Sequence, residues 1–335
     1  MCRRDITKSW RPVEAFLSLT AVVLSAIFLI AIPGCKKSEK KTFVVGYVNP
    51  NPEERNGAQG FLRNMPKFGY VEGQNVTYMR CETKDKKIIE NALREMVAKK
   101  ADLIFTMTTP ATVMARRITE GTNIPVLFVM YDAVGSGTVE TLIKHRGNIT
   151  GVQLSGSTPK ALEWLLAIRP GARHIFVPVC FDTGAAELSL TALKQTAAKL
   201  GIKLTISEVA TVDELHVSLS SMPKDIDAIF MIHSWLVGCN AKAVLAQAAR
   251  RKIPVASAGH VHFDDGVVIS YGPRDDSTGY QTARLADRIL HGVPAVDLPV
   301  ETSDFFLGIN LKTARSMSFE IPADVLQQAD FIVRE

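Results

Sequence analysis

The sequence predicts an α/β protein with two lobes, each built on a parallel sheet, and with several strand crossings between them. From residue 43 onward, apolar and β-branched runs alternate with helical patterns, as in consecutive βαβ units. The chain has 335 residues, and without a predicted leader it is long enough for two lobes of roughly 150 residues each. Elements that remain after two complete α/β halves indicate that the chain crosses back, so a hinge of several strands is expected.

The first half is expected to alternate strands with amphipathic helices. An apolar face that includes Phe61 and Phe68 predicts the first helix, which Pro66 is expected to kink or end early. A later helix is expected to have Thr109 as its N-cap and Pro110 at its first helical position. The expected strands are 43–48, 75–80, 103–107 and 125–131, and a further helix covers 88–97.

The same alternation continues in the second half. The expected strands are 174–181, 203–209, 228–233, 254–258 and 267–271, and the helices are 159–168, 185–200, 212–222 and 241–251. A helix at 277–290 and a strand at 305–310 follow these repeats. Lobe 1 is therefore expected to comprise 43–150 and about 273–310, and lobe 2 to comprise 151–272 and about 311–335.

The N-terminal segment predicts export. A positive stretch precedes an apolar run at 15–35, which ends in Ile32-Pro33-Gly34-Cys35. A small residue directly before a cysteine resembles the bacterial lipoprotein box, so residues 1–34 are interpreted as a signal peptide, Cys35 as the lipidated first residue, and 35–42 as a tether. An uncleaved transmembrane anchor is the alternative. Both place the body in the cell envelope, facing the periplasm or the exterior.

Charge and cysteine content exclude several classes of partner. The formal net charge is +5, and the leader carries four basic and two acidic residues, so the processed chain is too weakly basic to indicate nucleic-acid binding. Cys81, Cys180 and Cys239 have no C-x-x-C spacing, which argues against a thiolate zinc site. Buried thiols are the favoured interpretation of these three cysteines, with a disulfide as the alternative.

Motifs for catalysis, cofactor binding and metal binding are missing from the sequence. It has no G-x-S-x-G, no G-x-x-x-x-G-K-[ST] and no H-E-x-x-H, and a possible dinucleotide motif at 135–140 has Glu140 in place of its third glycine. His260 and His262 are separated by one residue in an extended loop, which seldom forms a metal site without a third ligand. No enzyme activity, cofactor or metal is expected.

The ligand site is expected beyond the carboxyl ends of the strands, because open parallel sheets bind ligands there. The residues that follow predicted strands are mostly polar. The candidate ligand-binding residues are Asn49, Thr108, Thr109, Tyr131, Asp132, Asp182, His233, Ser234, Trp235 and Gly259.

Four of these residues allow a specific chemical interpretation. Thr108 and Thr109 lie at a helix N-terminus, where N–H groups attract a carboxylate, although capping alone also explains them. Asp132 is suited to a ligand ammonium or hydroxyl group, or to a turn before Gly135. Trp235 follows a strand and is interpreted either as a stacking ring for a ligand or as a core residue.

A collinear set of motifs resembles one known family. The set includes GYVEGQNV (69–76), ADLIFTMTTPAT (101–112), GNITGVQ (147–153), VVISYGP (267–273) and IPADVLQQAD (321–330). Their order and spacing are similar to those of ABC transporter substrate-binding proteins related to the tryptophan-binding type, over essentially the whole processed chain. The sequence departs from the family at Ala133, where proline is common, and at 233–235.

The resemblance implies a type I periplasmic-binding fold, in which two Rossmann-like lobes close on a small molecule without reacting with it. It implies delivery of that molecule to an ABC permease and its ATPase subunits. The cleft positions of the family correspond to Asn49, Thr108, Thr109, Asp132, Asp182, Ser234 and Trp235. The expected ligand is a small polar organic molecule, with amino acids, including aromatic ones, among the candidates. A sensory subunit for a membrane signalling protein is the alternative, and an extracytoplasmic enzyme is the weakest hypothesis.

Overall fold

The computed structural model describes residues 41–52, 57–182, 184–259 and 263–334. The predicted signal peptide and Cys35 lie outside these ranges. Residues from Thr42 onward form one compact unit. Among the helices in the described ranges, none has the length and apolar character that a membrane crossing requires.

Within the described ranges, lobe 1 is built on a six-stranded sheet in the order β11-β5-β4-β3-β1-β2. Neighbouring strands in this sheet are parallel. The strands are β1 Phe43–Val48, β2 Val76–Cys81, β3 Leu103–Met107, β4 Val126–Met130, β5 Ile149–Gln153 and β11 Glu301–Thr302.

Lobe 2, in the same part of the chain, is built on a seven-stranded sheet in the order β13-β12-β10-β9-β8-β6-β7. Strands β10 and β12 are antiparallel, and the other neighbours are parallel. The strands are β6 His174–Val179, β7 Lys203–Glu208, β8 Ala228–Met231, β9 Val255–Ser257, β10 Ile269–Pro273, β12 Phe305–Asn310 and β13 Phe331–Val333.

Helices flank both sheets. They are α1 Gly57–Asn64, α2 Lys86–Ala98, α3 Thr109–Ile118, α4 Ser157–Ile168, α5 Gly184–Leu200, α6 Val212–Ser220, α7 Trp235–Cys239, α8 Ala241–Arg251, α9 Asp275–Leu290, α10 Leu311–Ser316 and α11 Ala323–Gln327. Short 3-10 turns cover Met65–Phe68 and Ala295–Asp297. The first of these turns contains Pro66, so the proline ends α1 as expected.

The core of lobe 1 forms because apolar side chains of the strands meet the apolar faces of the helices. All five residues of β4 are buried, as expected for a central strand covered on both faces. On one face, Phe61 of α1 stacks on Phe105 of β3 with ring centroids 4.5 Å apart. On the other face, Leu93 and Met96 of α2 are buried. Helix α2 begins at Asp85, whose carboxylate accepts hydrogen bonds from the first turn.

The chain crosses between the two sheets after β5, after β10 and after β11. The second crossing returns the chain to lobe 1, where α9 packs against α1. The strand β12 differs from the expected division, which placed residues up to about 310 in lobe 1. This strand pairs antiparallel with β10 and parallel with β13, so it belongs to the lobe 2 sheet. Strand β5, at 149–153, was not predicted as a strand.

Candidate functional site

Two contacts show that the carboxyl ends of strands from the two sheets face each other. Tyr131 follows β4 and His233 follows β8, and their ring centroids are 4.7 Å apart. Lys84 follows β2, and its Nζ lies 4.1 Å from the ring centroid of Trp235, the first residue of α7. We call the space bounded by these strand ends the interlobe cleft.

Tyr131 reaches across the cleft into a polar cluster of lobe 2. The residue is 9% exposed, and its hydroxyl group lies near the hydroxyl groups of Ser189 and Thr158. The hydroxyl oxygens of Thr158 and Ser189 are 2.9 Å apart, and Ser189 Oγ lies 3.4 Å from His233 Nδ1. Tyr131 therefore joins the lobes through both its ring and its hydroxyl group.

The two titratable groups of this cluster are uncharged at neutral pH. Burial raises the pKa of Tyr131 above its ordinary value, and hydrogen bonds to Ser189 and Thr158 counter part of that rise. Burial lowers the pKa of His233 to about 4. His233 therefore supplies a neutral ring to the cleft, so the positive charge for an anionic ligand must come from another residue.

Asn49 is fully buried and shapes the loop that follows β1. Its N–H donates to the carbonyl oxygen of Cys81 at 3.0 Å, and its Oδ1 accepts from the N–H of Asn51 at 3.1 Å. The residue therefore fixes the start of the loop, and a direct contact between Asn49 and a ligand stays a prediction.

Thr108, and not Thr109, is the N-cap of α3, so the sequence-based assignment was wrong by one residue. Thr109 and Pro110 both lie inside the helix, and the Thr108 side chain makes no capping hydrogen bond. Thr108 has φ 77° and ψ 151°, a region that is essentially restricted to glycine and costs roughly 1–3 kcal/mol for other residues. Such strain occurs at ligand sites, but a role of either threonine in anion binding stays a prediction.

Asp132 forms the turn that was considered as an alternative to ligand binding. Its Oδ1 accepts from the N–H of Gly135 at 2.7 Å. A β-carbon at Gly135 would meet the Asp132 carboxylate, so a larger residue at 135 would require the Asp132 side chain to move. At least one oxygen of Asp132 is thus engaged in shaping the loop after β4.

Two of the predicted lobe 2 residues hold the backbone around α7. Asp182 Oδ2 accepts from the N–H of Leu236 at 2.8 Å. Ser234 Oγ accepts from the N–H of Cys180 at 3.0 Å and donates to its carbonyl oxygen at 3.2 Å. These contacts link the end of β6 to the end of β8 and fix the direction in which α7 begins.

Trp235 is open to the cleft, since the residue is 40% exposed. This exposure contradicts the core-packing alternative. Gly259 lies beside the cluster of Tyr131, because a β-carbon added there would lie 3.8 Å from His233 Nε2. The structure thus brings Tyr131, His233, Trp235 and Gly259 to the cleft surface.

A cavity of about 480 Å³ opens at the mouth of the cleft, between the loops after β1 and β2 and the helix α7. Its lining residues are Pro50, Asn51, Pro52, Glu82, Thr83, Lys84, Trp235 and Cys239. The sequence analysis missed Glu82, Thr83 and Lys84. The rule used for the other strands applies to them, because they directly follow β2.

A second cavity, of about 540 Å³, lies away from the cleft. It is lined by Arg116, Arg117, Arg146 and residues that precede β4 and β5. It therefore opens at the amino ends of the strands, opposite to the edge at which open α/β sheets bind ligands. We do not include it in the candidate site.

Within the described part of the chain, no group of three or more His, Cys, Asp or Glu side chains is arranged to hold a metal ion. His260 and His262 lie outside that part. Cys81 and Cys180 carry free thiols.

Comparison with known proteins identifies relatives in sequence and in structure. A family model described as ABC transporter substrate binding protein matches residues 50–333. The tyrosine-binding protein of Clostridioides difficile (strain R20291) is 24% identical over 268 residues, which are 79% of this chain and 77% of that protein.

Two solved structures each match 88% of this chain and 100% of their own. One is a ligand-free, open structure of a substrate binding protein with adhesive properties from Clostridium difficile, with 26% identity and a TM-score of 0.71. The other is an ABC domain in complex with L-Trp from Streptococcus pneumonia, with 22% identity and a TM-score of 0.76. These likenesses confirm the type I periplasmic-binding fold. Because the family model covers most of the chain, the protein belongs to the ABC transporter substrate-binding protein family, whose members are extracytoplasmic solute-binding proteins and not enzymes.

Proposed function

We propose that this protein is the lipid-anchored solute receptor of an ABC importer and captures an aromatic amino acid in the interlobe cleft. The observation that carries the proposal is the cavity of about 480 Å³ between the lobes, which combines an aromatic face with groups of both charges. Its volume falls in the range of about 300–1,000 Å³ that is usual for small-molecule sites.

The chemistry of this cavity matches the parts of an aromatic amino acid. The exposed indole of Trp235 offers a face for a planar side chain. Lys84 supplies a positive charge for the α-carboxylate, and Glu82 supplies a negative charge for the α-ammonium group. Among the described residues that line this cavity, Lys84 is the cationic one. One relative is named as a tyrosine-binding protein and another was solved with L-Trp, which supports the same ligand class.

A ligand screen by thermal shift tests the proposed ligand class. We expect tyrosine, tryptophan or phenylalanine to raise the melting temperature of the purified protein, because a ligand at 100 times its Kd adds about 2.7 kcal/mol of stability. Sugars, nucleosides and small organic acids serve as the comparison set. A shift with these compounds and none with amino acids would contradict the ligand class, and no shift with any compound would contradict solute capture.

The lipid anchor rests on the leader sequence that ends in Cys35. We expect the expressed protein to incorporate a labelled fatty acid and Cys35→Ser to abolish the label, because the serine hydroxyl cannot replace the thiol in lipoprotein processing. Labelling that persists in Cys35→Ser would place the lipid elsewhere. An unlabelled wild-type protein that still sediments with membranes would favour the uncleaved anchor instead.

A further inference from the structure

The face of the Trp235 ring is already occupied by a group from the other lobe. Lys84 Nζ lies 4.1 Å from the ring centroid, a distance at which the ring face attracts a cation. Trp235 is held by its backbone, because its N–H and that of Leu236 donate to the Asp182 carboxylate. The backbone that carries the indole is thus held in place, whereas the ammonium group lies at the end of a long flexible side chain.

Within the described part of the chain, no carboxylate competes with the Trp235 ring by pairing with Lys84. Among the described residues, it forms no salt bridge, and it lies on the exposed loop after β2. Its flexible four-carbon stem lets the ammonium group turn between two partners at little cost. Both the lysine and the indole line the cavity at the cleft mouth.

We propose that Lys84 and the aromatic ring of the ligand exchange places on the face of Trp235. In the ligand-free protein the Lys84 ammonium group covers the Trp235 ring. An incoming aromatic ring displaces this ammonium group, which then pairs with the ligand carboxylate. This inference rests on the proposed function and assigns the preference for a ligand carboxylate to Lys84. A ring with a carboxylate regains an ion pair when it displaces the lysine. A ring without a carboxylate displaces the lysine and gains no ion pair in return. Lys84 therefore selects aromatic acids over aromatic amines.

The test compares each amino acid with its decarboxylated amine. Titration calorimetry of wild-type protein and Lys84→Met would measure Kd for L-tyrosine and tyramine, and for L-tryptophan and tryptamine. Methionine keeps the length of the side chain and removes the charge. We expect Lys84→Met to weaken binding of the amino acid at least tenfold, in line with the loss of a charge-assisted contact. Amine binding should be unchanged or tighter, so the preference for the acid falls at least tenfold.

Lys160→Met is the matched control. Lys160 Nζ lies 5.0 Å from the ring centroid of Trp164 on helix α4, outside the cavity at the cleft mouth. This lysine also pairs with Glu163 at 2.9 Å, so the variant controls for the loss of a lysine over an indole ring and not for the loss of an unpaired lysine. We expect this variant to keep the wild-type Kd values. Trp235→Leu removes the ring itself and is expected to weaken the amino acid and the amine alike.

The outcomes separate the inference from the function on which it rests. An unchanged preference in Lys84→Met, with wild-type binding intact, would overturn the role of Lys84 and leave the receptor function standing. An equal loss of acid and amine binding would also overturn it, because Lys84 would then be a general part of the binding surface. Failure of the wild-type protein to bind either amino acid would reject both the ligand class and the inference.

Discussion

Replacing Gly279 by alanine is expected to lower the free energy of unfolding by about 3 kcal/mol or more. Gly279 of α9 faces Gly60 of α1, and a β-carbon at 279 would overlap the backbone of Gly60. A β-carbon at Gly60 would likewise overlap the carbonyl oxygen of Asp275. Backbone atoms cannot turn aside as a flexible side chain can, so the two helices must separate and lose their packing.

Urea unfolding followed by circular dichroism would measure this effect, with Gly184→Ala as the control. Gly184 is exposed in the first turn of α5, and a β-carbon there has no neighbour within 4 Å. Alanine at 184 is expected to be neutral or to stabilise slightly, because it improves helix propensity without a clash. If Gly279→Ala were as stable as Gly184→Ala, the close crossing of α1 and α9 would be wrong.

The expected loss is large because α9 completes the core of lobe 1. Its buried residues Ala283, Ala286 and Ile289 belong to the same apolar cluster as Phe61 and other lobe 1 residues. Helix α9 follows most of lobe 2 in the sequence, so lobe 1 is complete only after the chain has crossed back. A change at Gly279 therefore affects a part of the protein that begins more than 200 residues earlier.

Local periodicity predicted much of the secondary structure. The expected bounds are confirmed for strand β3, strand β12 and helix α8. These patterns are predictable because the periodicity of a strand or a helix is a property of a short segment. The sheet to which β12 belongs could not be predicted in this way. The pairing of β12 with β10 joins residues that are far apart in the sequence, and the apolar pattern of a strand does not identify its neighbour.

The position of the interlobe cleft was more predictable than the role of each residue that surrounds it. The rule that ligands bind beyond strand ends located Tyr131, His233 and Trp235, which meet residues of the opposite lobe. It could not distinguish them from Asp182 and Ser234, whose side chains bind backbone groups. Short polar side chains at strand ends can face a ligand cleft or bind backbone groups of their own lobe. Only the folded geometry shows which groups they reach.

Acidification is expected to destabilise the protein through His233. Burial lowers the pKa of His233 to about 4 in the folded protein, against 6.5 for an ordinary histidine. Between these two pH values the unfolded chain binds a proton at His233 and the folded protein does not. The free energy of unfolding is therefore highest above about pH 6.5 and falls as the pH decreases toward 4. The loss is roughly 2 kcal/mol at pH 5 and about 3 kcal/mol at pH 4.

Unfolding curves of wild-type protein and His233→Gln at pH 7, 6 and 5 would isolate this contribution. Glutamine keeps a polar group near Ser189 and does not titrate. The free energy of unfolding of the variant minus that of wild type should therefore rise by about 2 kcal/mol between pH 7 and pH 5. His216→Gln, on the exposed face of α6, controls for the loss of an imidazole. A constant difference between wild type and His233→Gln would contradict the desolvation of this ring in the cleft. Since the Tyr131 ring covers His233, that result would also reject the contact through which Tyr131 joins the two lobes.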